Sequence, residues 1–383
     1  MTELDAVRWI AERAKAMETE LAELVEINSF SDNAEGGRKV GALLASRTFA
    51  IEGLRPGKVA SSRYADHLTC TTRGDGSRRP IALVGHLDTV FPPGTFEGYR
   101  RDGELARGPG VLDMKGGLVV VAFALRAIAE TVGLDGVAPV RLVVVADEEV
   151  GSPEGQGVIR SVVADAKGAL VFEAGRKGDA IITRRKGTGS MTAVAEGRAA
   201  HAGNAHREGK NAIWALARFI DAAQRLTDYE RGVTVNVGIV SGGTSKNTVP
   251  DRAEAQLDIR FETIADGDKL VEELRAAAEA SAIEGTKIAV RGGVGRQPLE
   301  RTDASVALME AYGACARDSG LGASEAGLIG GGSDASTSFA MGIASIDGLG
   351  PRGVGFHTKD EQIEVATLVL KAQALARFLL RWK

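Results

Sequence analysis

Through the first 183 residues, short apolar runs that end in charged or glycine-rich turns alternate with longer stretches of helical periodicity. This alternation constrains the fold more than any other feature. The segments "PIALVGH" (80–86), "VRLVVV" (140–145) and "GALVFE" (168–173) read as buried strands. Between them, "DMKGGLVVVAFALRAIAE" reads as a helix of about 16 residues that starts at or near Asp113, and "GQGVIRSVVADA" reads as another. Residues 5–28 carry apolar side chains at helical intervals, which predicts one long amphipathic helix. Strands that alternate with helices of this length form an α/β domain, a mostly parallel sheet with helices on both faces. Functional side chains in such a sheet collect beyond the carboxyl ends of its strands.

The pattern changes after residue 184. Strand-like "GTGSMTAVAEG", helical "NAIWALARFIDAAQRL", strands "VTVNVGIVSGG" and "AEAQLDIRFE", helical "DKLVEELRAAAEA" and a last strand "TKIAVRGG" follow in order. Polar–apolar alternation in these strands predicts an antiparallel sheet with one solvated face, in an α+β (ferredoxin-like) layer. The chain is therefore read as a first domain in two parts, 1–183 and 299–383, with a second domain inserted at 184–298. A length of 383 residues supports two cores.

Composition narrows the partners. A net charge of -4, from 47 basic and 51 acidic residues, gives no basic face for nucleic acid or an anionic membrane. The longest uncharged apolar run, "LVVVAFAL", is far too short for a membrane span, and the first 30 residues contain no apolar leader core. Two cysteines without a CxxC pair fit a reducing compartment. The expectation is a soluble, cytoplasmic protein.

The chemistry sits in a handful of acids and histidines. Of five histidines, His86 shares "GHLDT" with Asp88, two residues on, so both side chains face one side of a strand end. Asp113 stands at a loop-to-helix junction. Asp147, Glu148 and Glu149 follow the run "VVVA", Glu173 ends a further strand, and His357 follows a glycine-rich turn. Taken singly, each has an ordinary explanation as a helix cap, a solvated strand edge or a hydrogen-bonded imidazole. Together, two imidazoles and several carboxylates suit zinc or another borderline divalent ion, in a number that exceeds one tetrahedral site and is right for two. Spacing does not separate the jobs of Glu148 and Glu149.

The ordered set "GHLDTVFPPGTF", "GPGVLDMKGG", "ADEEVGS", "VFEAG", "AAHAG", "SGGTSKNTVPDRAEAQLDIR", "GGGSDAS" and "GPRGVGFHTKDE" spans nearly the whole chain. It resembles the M20 family of zinc metallopeptidases, in its glutamate carboxypeptidase (carboxypeptidase G2-like) branch. The resemblance implies two Zn2+ ions, with Co2+ or Mn2+ able to use the same donors. His86 and Glu173 would hold one ion, Glu149 and His357 the other, and Asp113 would bridge them. Asp88 would orient His86, and Glu148 would be the general base. The inserted domain would be a lid and a homodimerisation surface, with His201 as a transition-state stabiliser. Asn247, Arg260 and Gly331 would lie near the substrate. The implied reaction is hydrolysis of an amide bond in a small peptide or N-acyl conjugate, releasing a glutamate-like C-terminal amino acid through a dizinc-activated water. His206 departs from the pattern, standing where the family usually has proline, and reads as a loop residue.

Other readings explain less. "GGGSDAS" alone could cradle a phosphate, but it lacks GxxxxGK[ST] and leaves Glu173 and His357 without a purpose. A zinc-binding scaffold without activity would have no need of Glu148. Aminoacylase or dipeptidase activity would use the same site residues.

Overall fold

The computed structural model describes residues 2–74 and 77–382. In chain order its principal strands are β1 (Leu54–Val59), β2 (His67–Thr72), β3 (Ile81–His86), β4 (Val140–Val145), β5 (Gly168–Val171), β6 (Gly187–Glu196), β7 (Thr234–Gly242), β8 (Arg252–Phe261), β9 (Lys287–Arg296) and β10 (Ala344–Ile346). The helices are α1 (Glu3–Ala11), α2 (Ala14–Val25), α3 (Ala34–Leu43), α4 (Lys115–Thr131), α5 (Gly155–Val163), α6 (Ala212–Gln224), α7 (Ile264–Ser281), α8 (Asp303–Asp318), α9 (Ala335–Phe339) and α10 (Ala366–Arg381). They fall into two compact units. One runs up to Arg184 and includes Arg301–Leu328 and the chain from Ser333. The other comprises Arg185–Glu300 with Ile329–Gly332.

The first unit is built on a six-stranded sheet in the order β1-β2-β4-β3-β5-β10. β4, β3, β5 and β10 run parallel, while β2 pairs antiparallel with β4 and carries β1 as an antiparallel edge. Every residue of β3 and β5 is buried, as expected of parallel strands covered on both faces. α4 is apolar nearly all round and correspondingly buried, with Val119, Val120, Val121 and Phe123 at 2% exposure or less. The expected helix over 5–28 is instead two helices, broken at Glu12–Arg13. There the Arg13 guanidinium lies 3.9 Å from the centre of the Trp9 ring and donates to the Trp9 carbonyl.

The second unit is a four-stranded antiparallel sheet in the order β7-β8-β6-β9, with α6 and α7 packed on it. β6 and β8 alternate buried and exposed residues almost strictly, so one face of each strand feeds a separate core around Phe219, Leu257, Ile259 and Leu274. Asn211 caps α6 by accepting from Trp214 N, and Thr263 caps α7 by accepting from Asp266 N.

One close approach in the first unit bears directly on the site. Gly117, in the first turn of α4, packs so tightly on the end of β5 that a Cβ there would stand 2.1 Å from the Phe172 carbonyl oxygen, one residue before Glu173. A Gly117→Val substitution is expected to destabilise the protein by about 1–3 kcal/mol or more by overpacking. Urea denaturation checks this through a lowered midpoint at an unchanged m-value.

Candidate metal centre

Three neighbouring parallel strands deliver the first donors. His86 is the last residue of β3, Glu148 and Glu149 lie in the turn after β4, and Glu173 follows β5 by two residues. Asp113 sits just before α4, and His357 lies in the loop between the short strands Gly353–Val354 and Gln362–Glu364. The structure brings all six into one cluster. Asp113 turns one oxygen to each histidine: its Oδ1 is 3.2 Å from His86 Nε2 and its Oδ2 is 3.3 Å from His357 Nε2. Glu173 Oε1 lies 3.6 Å from His86 Nε2, and Glu149 Oε2 lies 3.0 Å from His357 Nε2. Carboxylate oxygens of Glu148 and Glu173 and a nitrogen of His86 also fall within 4.8 Å of one another, as do donor atoms of His86, Asp113 and Glu149.

The tautomer of His86 follows from its partners. Its Nδ1 is 3.0 Å from the Asp88 carbonyl oxygen, which can only accept, so Nδ1 carries the proton. With a cation among Nε2, Asp113 and Glu173, the neutral ring would present its Nε2 lone pair to that cation. The Asp88 carboxylate is the more distant partner, with Oδ1 3.4 Å from Nδ1. That carboxylate has further work, since it accepts from the backbone N–H of both Glu148 and Glu149 and from the Ser31 hydroxyl.

The electrostatics call for a cation. Burial pushes the Glu173 carboxyl up to about 8 and also raises Glu149. Hydrogen bonds to Asp113 and Glu149 push His357 up to about 10. Burial pulls His86 down, but Glu173 and the hydrogen bonds to Asp113 and Asp88 outweigh it and leave the ring well above its usual value. Burial would raise Asp113 too, yet the two imidazoles hold it well below the ordinary carboxylate range. This crowd of buried acids thus draws positive charge onto the histidines. Divalent cations supply that charge directly, and the N/O donor set fits them. His357 has φ +61°, a left-handed conformation uncommon for a non-glycine residue and concentrated at functional sites.

Sequence reasoning missed two buried residues that hold this arrangement. Glu361 is fully buried and accepts from the backbone N–H of Gly110, Leu112 and Asp113, so it fixes the loop that carries Asp113. Lys115, also fully buried, donates to the carbonyls of Leu24 and Ile27, and burial lowers it to about 7. A glutamate four residues after His357 was the available signal for Glu361.

The remaining candidates lie in the second unit. His201 pairs across a short two-stranded ribbon with Thr248, next to Asn247, whose backbone carbonyl accepts from Ala202 N. His201 Nδ1 accepts from Gly203 N and Asn204 N, so the neutral ring carries its proton on Nε2 and can donate to an oxygen. A cavity of about 490 Å³ beside them is lined by Ala202, His206, Asn211 and Lys246, among others. Arg260 is elsewhere, on β8, in a two-pronged ion pair with Asp258. The Gly331 carbonyl accepts from Arg185 Nη1.

Comparison with known proteins agrees with this picture. Residues 183–286 match the peptidase dimerisation domain family. Carboxypeptidase G2 of Pseudomonas sp. (strain RS-16) is 26% identical over 372 residues, covering 94% of this chain and 88% of that protein. Succinyl-diaminopimelate desuccinylase of Gluconacetobacter diazotrophicus is 28% identical over 326 residues, 79% of this chain and 80% of that protein. The crystal structure of the M20 family metallo-carboxypeptidase Sso-CP2 from Sulfolobus solfataricus superposes with a TM-score of 0.73 at 18% identity, over 95% of this chain and 98% of the other, which establishes the shared fold. The relatives span several branches of that fold, and the site is that of a metal-dependent hydrolase.

If Glu361 fixes the Asp113 loop, Glu361→Ala is expected to weaken zinc binding about 10–100-fold, the range for lost supporting partners of a metal site. Competition against a chromogenic chelator measures it.

Proposed function

We propose that this chain, which has the M20 metallopeptidase fold, hydrolyses an amide bond and releases a C-terminal, glutamate-like amino acid from a peptide or N-acyl conjugate. The observation that carries the hydrolytic reading is Asp113, with one carboxylate oxygen at each of two histidines that are themselves paired with Glu173 and Glu149. In this reading His86 and Glu173 would hold one divalent ion, Glu149 and His357 would hold another, and Asp113 would contribute to both. Bound there, such ions polarise an amide carbonyl and make a water molecule acidic near neutral pH.

The chain's own residues do the rest. Glu148, in the cluster beside His86 and Glu173, takes the proton of the attacking water on a carboxylate oxygen. It then delivers that proton to the leaving nitrogen. His201 donates its Nε2–H to the oxygen on which charge develops. Asn247, Arg260 and Gly331 contribute to substrate recognition, with Arg260 exchanging its partner Asp258 for a substrate carboxylate. The glutamate preference rests on likeness to carboxypeptidase G2, while likeness to the desuccinylase favours N-acyl-amino-acid hydrolysis as the second reading.

We assign a homodimer to the second unit. Its edge strand β7 leaves Ile239 and Val240 more than half exposed, and α6 leaves Trp214 61% exposed. An apolar edge of this kind is ordinarily covered by a partner. Among the described residues no helix is long and apolar enough to cross a membrane.

Glu148→Gln is expected to retain two zinc ions per chain and to lose at least about 10²-fold in kcat, as for removal of a general base. Metal analysis and kinetics on a panel of N-acyl amino acids and dipeptides test this together. A preference for substrates with basic C-terminal residues would contradict the glutamate assignment. Ile239→Lys with Val240→Lys is expected to give monomers by sedimentation velocity.

A further inference from the structure

The motif "GGGSDAS" has so far contributed only Gly331, yet its three polar residues are fully enclosed: Ser333 is 1% exposed, and Asp334 and Ser336 are 0% exposed. The Ser333 hydroxyl donates to Asp347 Oδ2 at 2.6 Å, and Asp347 directly follows β10. The motif is thus tied to the sheet. Asp334 immediately precedes α9, but its side chain makes no capping bond to that helix. Instead its Oδ1 accepts from the Ser152 hydroxyl at 2.7 Å, across 182 residues of chain.

Ser152 is an unusual residue to find there. It is fully buried and has φ +52°, a conformation that strains any side chain other than hydrogen. It closes the turn that begins at Asp147. Its own N–H donates to the Asp147 carbonyl, and Gly151 N donates to the Glu148 carbonyl. The front of the same turn is held by Asp88, through the N–H groups of Glu148 and Glu149, and its far end by Asp147 Oδ2, through Glu154 N and Gly155 N. Between these two ends, the Ser152 hydroxyl ties the closing residue of the turn to Asp334, far along the chain. This charge-assisted hydroxyl–carboxylate bond anchors the strained residue.

We propose that Asp334 is a positioning residue for the Glu148–Glu149 pair, acting through the hydroxyl of Ser152. The inference rests on the reading of Glu149 as a ligand and Glu148 as the base. Anchoring Ser152 fixes the direction in which the turn presents both carboxylates, which a ligand and a proton carrier on adjacent residues require. The glycine-rich motif then has a reason to be ordered that does not involve a phosphate.

The test uses the full-length protein with Ser152→Ala, Asp334→Ala and the double variant, alongside Asp334→Asn, whose amide oxygen can still accept from Ser152. Ser152→Gly is included because glycine adopts φ +52° without strain, so it keeps the fold while lacking the hydroxyl. Kinetics, the visible spectrum of the cobalt-loaded protein and cobalt affinity are measured. Expected are a fall in kcat of about 10-fold or more at unchanged KM and a roughly 10-fold weaker affinity for one of two cobalt ions. The cobalt bands should shift in Ser152→Gly and Ser152→Ala alike. The double variant should be no worse than Asp334→Ala, because both changes break one bond, and Asp334→Asn should recover part of the loss. Wild-type kcat and cobalt spectra in Ser152→Gly and Asp334→Ala, with only the melting temperature lowered, would overturn the proposal alone. A wild-type protein that bound no cobalt would overturn the reading of the site, and the proposal with it.

Discussion

The carboxylate of Asp113 is the interaction on which the rest of the site depends. One oxygen faces the His86 and Glu173 pair and the other faces the His357 and Glu149 pair, so two half-sites share a single residue. Its position comes from three sources in the fold. The loop before α4 is clasped by Glu361, α4 is locked against β5 at Gly117, and the parallel strand ends of β3, β4 and β5 bring the other donors to it. A shift in the loop that carries Asp113 would disturb both half-sites together.

That arrangement is costly without its counter-charge. Buried carboxylates ordinarily avoid one another, and here the side chains of Glu173, Asp113 and Glu149, each 9% exposed or less, gather around two imidazoles. The framework resists relaxation because its supporting acids are spent on backbone N–H groups. Asp88 holds the Glu148–Glu149 peptide, Asp147 holds the start of α5, and Glu361 holds the Asp113 loop. Such acids are easily mistaken for ligands in a sequence, although each already accepts from two or more backbone N–H groups. The division of labour among neighbouring carboxylates is therefore made by backbone geometry.

Much of this was legible in the sequence for identifiable reasons. The parallel sheet announced itself through continuous apolar runs such as "LVVV", because strands covered on both faces have no polar side to show. The alternation in β6 and β8 gave the opposite signal for a sheet with one solvated face. His86 and Asp88 were readable because two residues along a strand return to the same side. The break between α1 and α2, where Arg13 turns back onto Trp9, was not, since it leaves the apolar spacing intact. Glu361 and Asp334 were equally hidden, because a charged residue in a loop looks solvated until its donors, backbone N–H groups for Glu361 and the Ser152 hydroxyl for Asp334, are in place. The separate tasks of Glu148 and Glu149 rested on resemblance alone.

The two glutamates could be arranged in either of two ways around a metal. Glu148 lies close enough to His86 and Glu173 for the three to form a ligand set of their own, which would leave no base. Anomalous diffraction at the zinc edge on crystals of the zinc-loaded protein distinguishes the two arrangements. The account predicts two peaks about 3.5–4 Å apart on either side of the Asp113 carboxylate, one bonded to His86 and Glu173 and the other to His357 and Glu149. A single peak bonded to His86, Glu148 and Glu173 would contradict it.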